Sequence, residues 1–201
     1  MKNKLFTVGV LLVALLSTNG VMAKEWTKVR IGVEGAYPPF SFVDPDGKLG
    51  GFDIDIANAL CEAMKVECEL IKSDWDGLIP SLSARKFDAI IASMSITEER
   101  KKAVDFTDKY YQTPARFVRE KGSDIEITPE DLNDKTVGVQ RATIHDSYLT
   151  DNYGDIVEIK RYGSLDEAYL DMASGRLDLL LADSIPVLDG FLKTDEGANF
   201  E

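Results

Sequence analysis

The segment Ser93-Met94-Ser95-Ile96-Thr97, followed by Arg100, carries the most informative chemistry in the sequence. Hydroxyls and unpaired backbone N–H groups ahead of a helix start, with an arginine in the first turn, offer a planar fork suited to a carboxylate. Together they describe an anion pocket. The plainer reading makes Thr97 an N-cap and pairs Arg100 with Glu98, Glu99 or Asp105. Elsewhere, Glu34 and Asp183 each end a predicted strand, and Tyr37 and Trp75 follow strands closely. Singly, a strand-end carboxylate reads as a solvated loop residue, and such an aromatic as a core plug. As a set, an anion pocket, two carboxylates and two aromatics fit a zwitterion with an additional positive group.

Catalytic patterns are thin. There is no Gly-x-Ser-x-Gly elbow and no phosphate loop, and the sole histidine, His145, reads as a surface loop residue that cannot build a zinc site alone. Neither a cofactor nor a metal is expected. Cys61 and Cys68 are the only cysteines. In an oxidising compartment such a pair reads as a disulfide, a local staple between a helix end and the next strand.

These residues need strand ends to hold them. Apolar runs predict strands at 29–34, 66–71 and 87–92. Between them come a helix capped by Asp53, with Ile56, Leu60 and Met64 recurring every four residues, and a helix over 76–86 that tolerates Pro80 only in its first turn. The alternation pauses over 105–121 and then resumes. Thr128-Pro129-Glu130-Asp131 is a helix start, strands are predicted at 136–139, 157–160 and 177–182, and a helix lies over 146–152. Ser164-Leu165-Asp166-Glu167 is a capping box opening a helix that ends at Gly175. Alternation of this length implies right-handed crossovers and parallel sheets covered on both faces. Two such series predict two α/β lobes, 24–112 and 113–201. In these sheets ligands bind beyond the carboxyl ends of the strands, which selects Glu34 with Tyr37, Asp74-Trp75-Asp76, 93–100, 140–145 and Asp183.

Apolar residues make up 44% of the chain and charged residues 29%, ordinary values for a globular protein. Lys+Arg 23 against Asp+Glu 35 leaves a net charge of -12, which argues against nucleic acid as a partner. An acidic surface suits a cationic small molecule and also serves solubility. The first 23 residues read as a signal peptide: Lys2 and Lys4, an apolar core over 5–16, and small residues at Val21 and Ala23 before the cleavage point. Ser17-Thr18-Asn19-Gly20 interrupts the apolar run short of the roughly 20 residues that a membrane span requires.

Several motifs stand in order: Arg30-Ile31-Gly32 with Tyr37-Pro38-Pro39-Phe40, Gly51-Phe52-Asp53-Ile54-Asp55, Leu78-Ile79-Pro80-Ser81-Leu82 and Asp88-Ala89-Ile90-Ile91. Ser95-Ile96-Thr97 with Arg100, and Gly175-Arg176-Leu177-Asp178 followed by Asp183, complete the series. In these segments the sequence resembles the periplasmic amino-acid-binding proteins of ABC importers, the family 3 solute-binding proteins, and within them the lysine, arginine, ornithine and histidine branch. The resemblance implies a two-lobed periplasmic-binding-protein fold, each lobe a mainly parallel sheet flanked by helices, with ligand in the interlobe cleft. It further implies a non-enzymatic, monomeric periplasmic receptor that closes on a basic L-amino acid about a hinge near 111–115 and passes it to a membrane permease. Position by position, Arg100 would fork onto the ligand α-carboxylate, helped by Ser95 and Thr143. Asp183 would take the α-ammonium, assisted by the Ser93 carbonyl or hydroxyl. Glu34 would face the distal cation, and Tyr37 and Trp75 would sandwich the aliphatic stem. The Cys61/Cys68 pair resembles the disulfide of this branch. Glu34 stands where aspartate is usual, Ala142 replaces a frequent glycine, and Ile144 stands where a second hydroxyl is common. Family members continue for several tens of residues, so a segment returning to the first lobe is expected to be absent after Glu201. A dehydratase acting on cyclic amino acids and a ligand-sensing module are the alternatives from other classes.

Overall fold

The computed structural model describes residues 25–201; the signal-peptide reading at 1–23 lies outside them. β1 (Lys28–Val33) buries Ile31 and Val33 on one face. On the other, Gly32 lies against the Phe87 ring, where a Cβ would sit 2.5 Å from a ring carbon. β2 (Ala36–Tyr37), β3 (Ser41–Val43) and β4 (Leu49–Gly50) then form a small antiparallel meander.

α1 (Phe52–Met64) corrects an expectation. Asp53 lies inside the helix, and the N-cap is Gly51, at φ 113° and with a Cβ position 2.5 Å from the Phe40 carbonyl oxygen. Ile54, Ala57 and Cys61 form the buried stripe, while Leu60 and Met64 are about half exposed. Two tethers set this rotation. Asp53 is drawn inward by hydrogen bonds from Ser93 and Tyr110, and Cys61 is bridged to Cys68 of β5 (Glu67–Lys72), with a Cα–Cα distance of 6.0 Å. The expected staple is therefore present.

α2 (Leu78–Ser83) carries Pro80 in its first turn, where the missing N–H costs nothing. β6 (Ala89–Ile90) is far shorter than the strand expected over 87–92. It pairs with β1 alone at the sheet edge, so only one side of its backbone is held. The first lobe's sheet, β5-β1-β6, is parallel throughout, and α3 (Glu98–Lys101) follows it.

The second lobe is built from β7 (Ala115–Val118), α4 (Pro129–Leu132), β8 (Thr136–Gln140), α5 (Ile144–Tyr153), β9 (Glu158–Tyr162), α6 (Leu165–Ala173), β10 (Leu179–Asp183) and α7 (Ser184–Val187). Its sheet runs β7-β10-β8-β9. β7 lies where the alternation was expected to pause and runs antiparallel to β10, the one departure from parallel pairing in this sheet. An antiparallel neighbour needs no crossover helix, which is why no helical period announced it. Thr128 and Ser164 cap α4 and α6 as expected, although Glu167 accepts from the Gly163 N–H rather than from that of Ser164. α5 starts at Ile144, two residues earlier than expected, because Thr143 caps it.

Each lobe buries its own apolar clusters. Ile31, Val33, Ile54 and Ala57 form one in the first lobe, with Trp75, Leu78, Phe87 and Ala92 forming another. Val137, Val139, Leu149, Leu179 and Leu181 line one face of the second sheet, and Val118, Met172, Leu180 and Phe191 the other. Tyr37 is the exception, a first-lobe residue packed against the second lobe's core. Among the described residues, no helix is long and apolar enough to cross a membrane.

Candidate functional site

Strand ends and helix starts from both lobes converge on a cleft of about 430 Å³, its open mouth included. Glu34, Tyr37, Trp75, Ser93, Ser95, Arg100, Thr143 and Asp183 all line it, together with Gln140 and His145. Residues spread over most of the described chain are thus brought to one place, because parallel strands deliver their carboxyl ends to the same edge.

Arg100 sits in the first turn of α3, where Thr97 caps by accepting from its backbone N–H at 3.1 Å. The cap reading therefore holds, but the ion-pair reading does not: Glu98 and Glu99 pair with Lys101 and Lys102. The Arg100 guanidinium donates to the carbonyls of Ser95 at 2.8 Å and Ala142 at 3.1 Å and lies 5.2 Å from the Trp75 ring centroid. Burial pushes its pKa down. Its acceptors are neutral, so a carboxylate entering here would meet a desolvated cation with no anionic partner in place among the described residues.

Ala142 adopts a left-handed conformation, φ 58°, and its carbonyl also accepts from Trp75 Nε1 at 3.2 Å. The Thr143 hydroxyl is engaged in both directions, donating to the Gln140 carbonyl at 2.7 Å and accepting from the Asp146 N–H at 3.2 Å. It serves first as the α5 cap.

Asp183, the last residue of β10, accepts from the Tyr37 hydroxyl and from Thr113 Oγ1, the latter at 2.6 Å. Tyr37 is therefore tied to Asp183 as well as forming a wall. His145 was expected at the surface; it is buried in the first turn of α5 because Thr143 starts that helix at the cleft. Its Nε2 lies 3.7 Å from Asp183 Oδ1 and has no hydrogen-bond partner among the described residues. Burial lowers the His145 pKa, with the Asp183 charge opposing and Arg100 reinforcing.

Ser93 is left-handed at φ 55°, and its hydroxyl donates to Asp53 Oδ2 at 2.7 Å. Donation to Asp53 uses the hydroxyl proton and leaves the Ser93 oxygen lone pairs as acceptors. Asp53 is fully buried, accepts from Tyr110 as well, and has its pKa raised by burial against the pull of those hydrogen bonds.

At the far end, Glu34 follows β1 and is 4% exposed. Its Oε1 accepts from Gln140 Nε2 at 2.6 Å across the lobes. Burial pushes its pKa up to about 7; the Gln140 bond opposes this, and the charges of Asp166, Asp53 and Asp74 add to it. Sequence reasoning passed over Asp53, Thr113 and Tyr110 as site residues, and Gln140 appeared only as a strand-end position. The cleft lining thus combines a cationic pocket at Arg100 with two carboxylates, Glu34 and Asp183.

A family model for bacterial extracellular solute-binding proteins, family 3, matches residues 29–182. The chain belongs to this family. Similar to this family 3 protein is the L-arginine-binding protein of Pseudomonas aeruginosa, 50% identical over 198 residues, which cover 98% of this chain and 76% of that one. The lysine/arginine/ornithine-binding periplasmic protein of Escherichia coli is 41% identical, over 94% of this chain and 74% of its own. Among solved structures, an ancestral arginine-binding protein bound to arginine superposes with a TM-score of 0.83 at 38% identity, covering 88% of this chain and 78% of that one. All three are named for binding.

Proposed function

We propose that this family 3 protein is an extracytoplasmic receptor for a basic L-amino acid, which it captures by closing two lobes and delivers to the permease of an ABC importer. Glu34 carries the reading. A buried carboxylate in a closed cleft is costly unless a cation meets it, and Glu34 lines a cleft that also offers Arg100 for a carboxylate. Arg100 would take the α-carboxylate with help from Ser95 and the backbone at Thr143. Asp183 would take the α-ammonium with the Ser93 carbonyl, and Trp75 and Tyr37 would flank the stem. The names of the relatives support a basic ligand, a periplasmic location and binding without catalysis. In this reading the lobes divide between 112 and 113, the hinge spans 111–115, and the receptor works as a monomer.

The test is a pair of variants measured by calorimetry. Glu34→Gln lowers affinity for arginine and lysine by about 2–5 kcal/mol and spares neutral amino acids, whereas Asp183→Asn weakens all of them. Undiminished arginine binding by Glu34→Gln would overturn the assignment.

A further inference from the structure

One ion pair joins the lobes outside the cleft. Arg141, the residue after β8, donates from Nε to Asp76 Oδ2 at 2.6 Å, and Asp76 lies in the short helical turn Trp75–Gly77 of the first lobe. Neither residue lines the cleft. Each partner is fixed by its own lobe. The Arg141 backbone N–H donates to the Tyr162 carbonyl at 2.9 Å, and its guanidinium lies against Gly163, where a Cβ would sit 3.4 Å from both terminal nitrogens. Asp76 follows Trp75, which is buried with Leu78, Phe87 and Ala92. Such anchoring spares part of the side-chain ordering that weakens most exposed ion pairs.

The next residue meets the first lobe as well. Ala142, left-handed at φ 58°, accepts through its carbonyl from Trp75 Nε1 at 3.2 Å and from Arg100 at 3.1 Å. Those two donors belong to the cleft and are open to rearrangement by a ligand, whereas the Arg141–Asp76 pair depends only on how far apart the lobes stand. An interaction made only between closed lobes favours the closed form without touching ligand, and it acts on escape more than on entry. Resting on the lobe-closing reading above, we propose that Arg141 and Asp76 form a clasp at the rim that sets how long the closed receptor holds its ligand. They are positioning residues, acting through the separation of the lobes.

Stopped-flow fluorescence of the whole chain with arginine tests this, with Trp75 in the cleft wall as the reporter. Asp76→Asn and Arg141→Gln each speed arginine dissociation about two- to fivefold, the range for a pair whose side chains are 37% and 45% exposed. The double variant is no faster than the faster single variant, because both remove the same interaction. A change of field alone would act with opposite sign in the two variants, slowing escape of a cation from Arg141→Gln and speeding it from Asp76→Asn. A merely structural role would lower the urea midpoint and leave dissociation as it was. Dissociation unchanged in either variant, rates that move in opposite directions, or full additivity in the double variant overturns the clasp and leaves the receptor reading standing. If arginine does not bind, the basic-ligand reading falls, and the same rates measured with glutamate or leucine decide the clasp; binding of no amino acid removes both.

Discussion

Binding of arginine should be linked to a proton through Glu34. The ligand-free carboxyl is raised from its ordinary 4.5 to about 7, chiefly by burial. At pH 8 it is about nine-tenths ionised and at pH 5 about one-hundredth. A cationic ligand needs the ionised form, so arginine affinity should fall on the order of a hundredfold between these values, or about 2.7 kcal/mol. At pH 7, calorimetry in two buffers of different ionisation enthalpy should show about half a proton released per arginine bound. Stability without ligand carries the same signature. A raised carboxyl contributes stability that is fully present below pH 4.5 and lost as pH rises through 7, amounting to about 3 kcal/mol. Asp53 and Asp166, also raised by burial, add in the same direction, and the lowered His145 opposes. The difference between the unsubstituted protein and Glu34→Gln isolates the one group. Flat arginine affinity from pH 5.5 to 8, or proton release that survives Glu34→Gln, refutes the reasoning.

Arg100→Lys keeps the charge but loses the fork, and affinity for every amino acid tested should drop about tenfold or more in calorimetry. Ala142→Gly should raise stability by about 0.5–1 kcal/mol in urea unfolding, because alanine at φ 58° carries a left-handed cost that exceeds the entropy glycine adds to the unfolded chain. Reducing the Cys61–Cys68 bridge, which spans a sequence separation of 7, should lower the urea midpoint by an amount equivalent to about 2.5 kcal/mol in the chain-entropy model.

Local signals were legible, and relations between distant segments were not. Thr97, Thr128 and Ser164 cap helices where their types and spacing say they should, since a cap is decided within four residues. The strands ending at Val33, Gln140 and Asp183 were found for the same reason, and with them most of the cleft. The rotation of α1 was misread because Asp53 answers to Ser93 and Tyr110, 40 and 57 positions away. The meander β2-β3-β4 is built from strands of two or three residues, too short for any period to register. Gln140 meets Glu34 across 106 positions, and nothing near either residue announces the other. His145 looked like a loop residue because the cap that places it in a helix, Thr143, stands outside the apolar pattern.

The most direct measurement is calorimetric titration of the unsubstituted protein at pH 8 with arginine, lysine, ornithine, histidine, glutamate and leucine. A buried Glu34 facing the ligand side chain should give heat and saturation with the basic amino acids, and affinities for glutamate and leucine at least about a hundredfold weaker. Preference for glutamate or leucine over every basic amino acid would contradict it.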